Sequence, residues 1–432
     1  MRNSVKTIGI LGLWHLGSVY AASLAKKGFE VTGFDFNENI VKNLKKGVPP
    51  IFEPNLEQTL KRFNNKNLHF TASENEFFQK KDYIFIAYDI PVDSNDIVQM
   101  EIVEKTFATL AKYVSASSTI VICSQVPVGT SRRLINLLRK KIKNSKLIYF
   151  PENLRLGQAF NAFFKPDRII LGGDNTKVLE DFQKDFSFFK CPVITMSLES
   201  AEMVKHALNT YLATCISFSS ELSDLSEKSG ANMTDVVKAL KSDKRVSIFA
   251  PINPGLGFAG GTLGRDIQSL KKLAKNVRYE PKLLNAVYAV NQDRLTMLIS
   301  KIKSIYPFLK GKTIGVLGLT YRPNTNTLRR SMSIDLINRL KSKGCKIKAF
   351  DPGIKDEIKE YPFIEISKDL KTFFENLDMV ILMTEWPEFK DINPRLAADL
   401  VSQKIIIDTK NFLDRQAYET LGFTILRMGE SK

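Results

Sequence analysis

The sequence predicts an α/β fold in which two doubly wound parallel sheets flank a helical middle segment. The first observation is a repeat: the stretch KTIGILGL at residues 6–13 returns as KTIGVLGL at residues 312–319. Each copy leads from an apolar strand into a glycine turn, a helical pattern and a second apolar strand, which ends at Asp35 or at Asp351. This order is typical of a nucleotide-binding βαβ unit, in which a helix N-terminus binds phosphate and a carboxylate can meet a ribose. The repeat therefore predicts two Rossmann-like domains and two nucleotides.

The second observation is that the first domain, assigned to residues 1–196, alternates apolar strands with helical patterns throughout. Such alternation is typical of a parallel, doubly wound sheet, because the crossover helices cover both of its faces. Short apolar runs predict strands at residues 7–11, 30–34, 83–87, 119–124, 146–150 and 168–171.

The third observation concerns the middle segment, assigned to residues 197–306. Between about residues 201 and 229, apolar residues recur at helical spacing with no Gly or Pro, which predicts one long central helix. Further helical patterns follow, and Pro307 and Gly311 then mark the start of the last domain, residues 307–432. The apolar stripe of the long helix is broader than one domain interface needs, so we expect a homodimer built on it.

Composition narrows the ligand class. The chain has 63 basic and 46 acidic residues, a formal net charge of +17, but the lysines are scattered and form no stripe with interleaved aromatics. This pattern favours anionic small ligands over nucleic acid. The three histidines have no metal-ligand spacing, and the four cysteines lie far apart, so we expect no metal site, no disulfides and a cytoplasmic location. No window is long and apolar enough to predict a membrane span.

The first glycine turn is an incomplete dinucleotide fingerprint. Gly12 and Gly17 match the first and last glycines of G-x-G-x-x-G, whereas Trp14 stands where the backbone should approach a pyrophosphate. Asp35 ends the next strand 23 residues after Gly12, and a carboxylate there favours NAD over NADP because it accepts the ribose hydroxyls and repels a 2′-phosphate. The alternative is a turn that packs strand against helix without a ligand.

Six stretches, in order along the chain, resemble motifs of the UDP-glucose/GDP-mannose dehydrogenase family. They are IFEPNL at residues 51–56, SQVPVGT at 124–130, PENLRLG at 151–157, AEMVKHALN at 201–209, GFAGGTLGRD at 257–266 and GLTYRPNTNTLR at 318–329. The resemblance covers essentially the whole chain. It implies an enzyme that oxidises the C6 alcohol of a nucleotide sugar, most readily a UDP-sugar similar to UDP-glucose, to a carboxylate with two NAD.

The resemblance also implies three groups of site residues. The catalytic group is Lys205, Asn209, Asp266, Glu152 and Thr262; the cofactor group is Gly12, Trp14, Gly17, Asp35, Pro91 and Gln125; the substrate group is Leu154, Arg155, Arg245, Gly257, Phe258, Arg322 and Lys410. Lys205 and Asn209 are four residues apart, so they project from one face of the long helix. A desolvated ammonium there can stabilise an alkoxide, while Asp266 and Glu152 assist in moving water and protons.

Some of these residues have equally good structural interpretations. In the family an arginine at the position of Arg245 reaches a substrate across a subunit boundary, but Arg245 is equally consistent with an ordinary surface charge. Phe258 can cover the sugar or pack in the core, and Trp386 is expected to pack.

The main departure from the family is Thr262, which stands where the family has the cysteine that attacks the intermediate aldehyde. A threonine hydroxyl with no adjacent base is a poor nucleophile. The preferred hypothesis is an NAD-dependent dehydrogenase that stops at the two-electron aldehyde, or that finishes through a hydrated aldehyde with Asp266 or Glu152 as the base. The alternatives are the conventional four-electron enzyme and a catalytically silent nucleotide-sugar-binding protein. Asn326, Thr327 and Arg330 also replace acidic family positions and add positive character.

Overall fold

The computed structural model of the protein describes residues 5–91, 93, 98–151, 154, 157–259, 261–328 and 330–431. The backbone forms two compact units, residues 1–208 with 268–277, and residues 209–267 with 278–432. Within the described ranges, every helix is too short or too polar to cross a bilayer.

The first unit contains one large sheet. Its strands are β1 Thr7–Leu11, β2 Glu30–Phe34, β3 Leu68–Thr71, β4 Tyr83–Ile86, β5 Thr119–Ile122, β6 Lys146–Tyr149, β7 Ile169–Gly172 and β8 Val193–Met196. The helices between them are α1 His15–Lys26, α2 Glu38–Lys45, α3 Leu56–Phe63, α4 Glu74–Phe77, α5 Glu101–Tyr113, α6 Thr130–Arg139, α7 Ala159–Phe164 and α8 Thr176–Asp185. The strand order is β3-β2-β1-β4-β5-β6-β7-β8.

This sheet confirms the doubly wound prediction with one correction. Alternate residues of β4 enter different cores: Tyr83 and Phe85 pack on one face, Ile84 and Ile86 on the other. Burial on both faces is what a parallel sheet covered by crossover helices requires. However, β7 pairs with β6 in the antiparallel direction, and β8 runs parallel to β7, so the sheet is mixed at one edge.

A long helix, α9, runs from Leu198 to Ser229, and three further helices follow it, α10 Met233–Ser242, α11 Leu263–Asn276 and α12 Lys282–Ile305. The predicted long helix is therefore confirmed and begins three residues earlier than expected. Asn232 caps α10 because its side chain accepts a hydrogen bond from the backbone N–H of Thr234.

The second unit contains a parallel sheet in the order β11-β10-β9-β12-β13-β14. Its strands are β9 Thr313–Leu317, β10 Lys346–Phe350, β11 Ile364–Ile366, β12 Met379–Leu382, β13 Ile405–Asp408 and β14 Thr424–Arg427. The helices that lie between these strands in the chain are α13 Met332–Lys341, α14 Leu370–Phe374, α15 Pro394–Leu400 and α16 Arg415–Glu419, with a 3₁₀ helix at Pro387–Asp391. The repeat seen in the sequence thus begins two sheets that share the central order 3-2-1-4-5.

Candidate functional site

The first glycine turn is sterically fixed. Gly12 has a φ of +88°, and a Cβ there would lie 2.7 Å from the ring of Tyr88. A Cβ on Gly17 would lie 1.6 Å from the carbonyl oxygen of Gly12. Both positions therefore require glycine, because β1, the turn and α1 approach too closely for any side chain.

Asp35 lies directly after β2 and supports this turn. Its Oδ2 accepts a hydrogen bond from the N–H of Leu13 at 2.8 Å, and its Oδ1 accepts one from the N–H of Asn37 at 2.9 Å. The residue is 9% exposed. The carboxylate thus stabilises the turn through these hydrogen bonds, and its contact with a ribose stays a prediction.

The other predicted cofactor residues lie at the carboxyl ends of neighbouring strands. Trp14 precedes α1 and is 39% exposed, Pro91 is an exposed residue beyond β4, and Gln125 is a half-buried residue beyond β5. In doubly wound sheets, ligands bind in the crevice where the strand order reverses, here between β1 and β4. One residue at that crevice was missed by the sequence reasoning: the Oδ2 of Asp89 accepts a hydrogen bond from the N–H of Leu16 at 3.2 Å.

Glu53, in the first family-like stretch, was also not assigned a role. Its buried carboxylate meets the Nε2 of His15 at 3.0 Å and accepts the backbone N–H groups of Gly157 and Ala159, each at 2.8 Å. Burial alone would raise the pKa of Glu53, but the hydrogen bonds from His15, Gly157 and Ala159 outweigh it and lower the pKa below 4.5. Glu53 therefore ties the start of α1 to the segment after residue 156.

Two side chains of α9 hold the loop that contains Gln125. The buried carboxylate of Glu202 accepts the N–H groups of Gly129 and Ser131, at 2.5 and 2.7 Å, and His206 is 2.9 Å from the carbonyl oxygen of Val126. Burial raises the pKa of Glu202 despite these donors. The AExxK stretch thus anchors α9 to the predicted cofactor loop, a role that its spacing alone does not reveal.

Three predicted catalytic residues come together in the second unit. The side-chain amide of Asn209 donates a hydrogen bond to the Oδ2 of Asp266, and these residues are 7% and 0% exposed. Thr262 is exposed and stands directly before α11, and its carbonyl oxygen accepts the N–H of Asp266 at 3.2 Å. Lys205 is half-buried and lies one helical turn before Asn209 on α9, so the two share a helix face.

The side chain of Asn291 holds the glycine-rich loop that precedes Thr262. Gly257 has a φ of +84°, and a Cβ there would lie 2.5 Å from the Oδ1 of Asn291. The Asn291 side chain accepts the N–H of Phe258 at 2.8 Å and donates to its carbonyl oxygen at 3.1 Å. Phe258 is buried in an apolar cluster with Ala213 and Ile267. The structure thus gives Phe258 the packing role, and its contact with a sugar stays a prediction.

The second glycine turn differs from the first. The Oδ2 of Asp351 accepts the N–H groups of Leu319 and Thr320, at 2.6 and 2.9 Å, and the indole N–H of Trp386 at 3.1 Å. Its Oδ1 accepts the N–H of Gly353 at 2.7 Å. Asp351 is 2% exposed and both of its carboxylate oxygens accept hydrogen bonds, while its contact with a ribose stays a prediction. The buried Trp386 is confirmed as a packing residue.

The helix that follows the second glycine turn also begins later in the chain than α1 does after the first turn. α13 begins at Met332, so an irregular segment rather than a helix N-terminus follows Gly318. The two predicted phosphate ligands follow different strands. Arg322 lies four residues after Gly318 and is half-buried. Lys410 lies just after β13, and its Nζ is 3.3 Å from a carboxylate oxygen of Glu385. Their contacts with a nucleotide stay predictions.

The remaining predicted residues fall on the surface or outside the described residues. Arg245 is highly exposed and pairs with Asp243, with an Nη2 to Oδ2 distance of 2.7 Å. Leu154 is partly buried against the core of the first unit. Glu152 and Arg155 lie outside the described residues.

The first turn fits a dinucleotide in outline. The required cradle consists of a strand, a glycine position with no room for a Cβ, a helix N-terminus and a carboxylate at the end of β2. Trp14 and Asp89 are the two features of that cradle that a dinucleotide-binding turn does not require.

Comparisons with known proteins agree with this geometry. Three family models of the UDP-glucose/GDP-mannose dehydrogenase family match: its NAD binding domain at residues 6–189, its central domain at 199–293 and its UDP binding domain at 315–415. The chain is 32% identical to the UDP-glucose 6-dehydrogenase of Rickettsia felis, over 98% of this chain and 96% of that protein. It is 30% identical to the UDP-glucose 6-dehydrogenase TuaD of Bacillus subtilis, over 98% and 93%.

A solved structure extends the agreement to the fold. The UDP-glucose dehydrogenase of the archaeon Pyrobaculum islandicum superposes with a TM-score of 0.89 at 26% identity, over 100% of this chain and 99% of that one. The predicted fold class, enzyme class and cofactor, NAD, are confirmed. The chain belongs to the UDP-glucose/GDP-mannose dehydrogenase family of NAD-dependent nucleotide-sugar dehydrogenases.

Proposed function

We propose that this enzyme oxidises the C6 alcohol of a UDP-sugar with NAD and releases the aldehyde after two electrons. The substrate class is supported by the UDP binding domain at residues 315–415 and by relatives that are named UDP-glucose 6-dehydrogenases. The two-electron outcome rests on Thr262, which stands where the family has its nucleophilic cysteine.

One observation carries the proposed alcohol oxidation: the buried hydrogen bond from Asn209 to Asp266, one helical turn beyond Thr262. A fully buried carboxylate is stable only when donors satisfy it. Asn209 supplies one such donor from α9, the helix that also presents Lys205 one turn earlier. The arrangement is therefore a fixed proton acceptor held next to the loop that would receive the substrate.

The chemistry assigned to these side chains balances for the first oxidation. The primary alcohol loses its hydroxyl proton and a hydride from carbon, and the product is an aldehyde. NAD, when bound, accepts the hydride. The ammonium of Lys205 stabilises the alkoxide as the proton leaves, Asn209 orients Asp266, and Asp266 assists in passing the proton to water.

The second oxidation is where Thr262 matters. In the thiol route a cysteine sulfur adds to the aldehyde, and loss of a second hydride leaves a thioester that water cleaves. A threonine hydroxyl does not ionise near neutral pH and has no base assigned to it, so this route is closed. The conventional four-electron outcome is favoured only by the names of the relatives, and it would need a hydrated aldehyde with Asp266 or Glu152 as the base.

The turn at Gly12 and Gly17, together with Asp35, would hold NAD, and Arg322 and Lys410 are proposed to contact the phosphates of UDP. We retain the boundaries 1–196, 197–306 and 307–432 as the functional division into NAD-binding, central and UDP-sugar-binding domains.

A homodimer through α9 forms part of the proposal. Tyr211, Phe218 and Leu225 recur at intervals of seven residues on α9 and are 57%, 49% and 55% exposed. Large apolar side chains repeated on one helix face are typical of a surface that a second copy covers. The exposed Arg245 is then available to reach a partner's substrate. A cytoplasmic location is proposed because all four cysteines are free thiols.

Product analysis tests the proposed reaction. Wild type, Thr262→Cys and Thr262→Ser are incubated with NAD and a panel of UDP- and GDP-sugars, and products are identified by mass. We expect wild type and Thr262→Ser to yield the aldehyde of a UDP-sugar and Thr262→Cys to yield the uronate. Thr234→Cys places a thiol at an exposed position on α10 and controls for adventitious addition of aldehyde to cysteine. Uronate from wild type at an ordinary rate would overturn the two-electron assignment.

A further inference from the structure

The N-terminus of α1 already carries a carboxylate from outside the glycine turn. Asp89 belongs to the segment that follows β4, and its Oδ2 lies 3.2 Å from the backbone nitrogen of Leu16, the second residue of α1. Trp14, which precedes the helix, gives the helix no side-chain cap. Asp89 therefore accepts a hydrogen bond from the first turn of α1, where Trp14 supplies none.

This N–H belongs to the group that a dinucleotide uses. In βαβ units the pyrophosphate binds the backbone N–H groups at the start of the first helix, which also carry the positive end of the helix dipole. Leu13, the residue before Trp14, already donates its N–H to Asp35. Two backbone donors around the glycine turn are thus engaged by carboxylates.

The position of Asp89 in the sheet places it at the cofactor crevice. β4 lies next to β1, on the opposite side from β2, and this is where the strand order reverses. The main chain there is close-packed, since a Cβ on Gly12 would meet the backbone nitrogen of Tyr88 at 2.9 Å. The residue before Asp89 is therefore fixed against the turn, and Asp89 has little freedom to withdraw without a change of its side-chain rotamer.

We propose that Asp89 is an intramolecular competitor for the cofactor pyrophosphate and sets a weak affinity for NAD. A carboxylate and a pyrophosphate repel each other and use the same donor, so NAD binds only when Asp89 releases Leu16. The cofactor must then offset both the broken hydrogen bond and the nearby negative charge. Asp89 is an affinity-determining residue in this enzyme and takes no part in the chemical step.

NAD titration of the full-length protein by calorimetry tests the proposal, with Asp89→Asn and Asp89→Gly as the two variants. Loss of one charge-assisted hydrogen bond and one repulsion predicts NAD binding that is about tenfold tighter in both. Adenosine, which has no phosphate, should bind wild type and both variants with equal affinity. Asp181→Asn removes the same charge from an exposed ion pair with Lys177 on α8 and should change the NAD affinity by less than about twofold.

The opposite result identifies a different role. If Asp89 binds a ribose hydroxyl of the cofactor, both variants will bind NAD more weakly than wild type, and the proposal is overturned. Equal affinity in all four proteins, or NAD binding in none, overturns it as well. Unfolding temperatures measured in parallel establish that each variant is folded. Because binding is measured without a sugar, the outcome is independent of whether the enzyme releases aldehyde or uronate.

Discussion

The hydrogen bond between Asn209 and Asp266 gives the sharpest prediction about the site. Asn209→Ala removes the amide that donates to a carboxylate with no exposed surface. The alanine side chain leaves α9 intact, since alanine is the best helix former. The perturbation therefore falls on the buried carboxylate.

The magnitude follows from burial and charge. Hydrogen bonds to charged groups contribute about 1.5–3 kcal/mol, and a buried acceptor that loses its donor keeps the desolvation cost. We expect a loss of about 2 kcal/mol in the unit that contains both residues. For a unit of about 200 residues this corresponds to a fall of roughly 4–8 °C in its unfolding midpoint. A misplaced Asp266 should also lower kcat by about a hundredfold.

Differential scanning calorimetry and initial-rate kinetics measure the two effects on the same preparation. Asn338→Ala is the matched control, because Asn338 is an exposed asparagine within α13 and its replacement should shift neither quantity appreciably. If Asn209→Ala unfolds within 1 °C of Asn338→Ala, the buried hydrogen bond contributes nothing measurable. If kcat is also unchanged, Asp266 is not held in place by Asn209 and the site has been assigned wrongly.

Three further predictions concern stability and assembly. The lowered pKa of Glu53, caused by His15 and two backbone donors against the effect of burial, means that its carboxylate stabilises the fold above about pH 4.5 and loses this effect as pH falls through the lower folded value. The deficit of Glu53→Gln in urea denaturation should therefore be larger at pH 7 than at pH 3, and an equal deficit would contradict the assigned direction. Gly17→Ala should abolish NAD binding or destabilise the first unit by several kcal/mol, because its Cβ would overlap the carbonyl oxygen of Gly12; calorimetry showing wild-type affinity and midpoint would be evidence against the turn geometry. Phe218→Asp should convert the dimer to a monomer in light scattering, and a wild type that is already monomeric removes the proposed interface.

The first strands of the two sheets could be predicted from the sequence because they depend on local patterns of apolar residues, glycine and aspartate. β1 and β2 have the predicted bounds, since each is a short apolar run that ends at a glycine or an aspartate. β3 and β8 were missed. β3 has the polar His69 in its middle and so lacks the continuous apolar run on which the prediction relied, whereas β8 is a short and largely apolar run, VITM, that was overlooked and that has no buried residue.

The direction of a strand and the hydrogen-bond partners of a carboxylate were harder to predict from the sequence. The reversal of β7 relative to β6 depends on how the chain crosses the sheet edge, which no local pattern encodes. The sequence treats Asp35 and Asp351 as equivalents, yet Trp386, 35 residues beyond the second aspartate, closes over it with an indole N–H. A long-range contact of this kind decides whether a carboxylate is available to a ligand.

The site was predicted best where spacing on one helix determines geometry. Lys205 and Asn209 share a face of α9, as their separation of four residues required. The partners of Glu53, Glu202 and Asp89 include backbone N–H groups in distant segments, and backbone donors carry no sequence signal. These carboxylates could have been suspected only as acidic residues inside otherwise apolar stretches.

The number of NADH molecules formed per molecule of UDP-sugar consumed by the wild-type enzyme decides whether the oxidation stops at the aldehyde. A reaction run to completion with limiting sugar and excess NAD, followed by absorbance, gives this ratio without any assumption about product handling. A protein with Thr262 in place of the nucleophilic cysteine should give one NADH per sugar, with an aldehyde that a hydrazine reagent traps. A ratio of two, with no trappable aldehyde, would show that the enzyme carries out both oxidations despite Thr262.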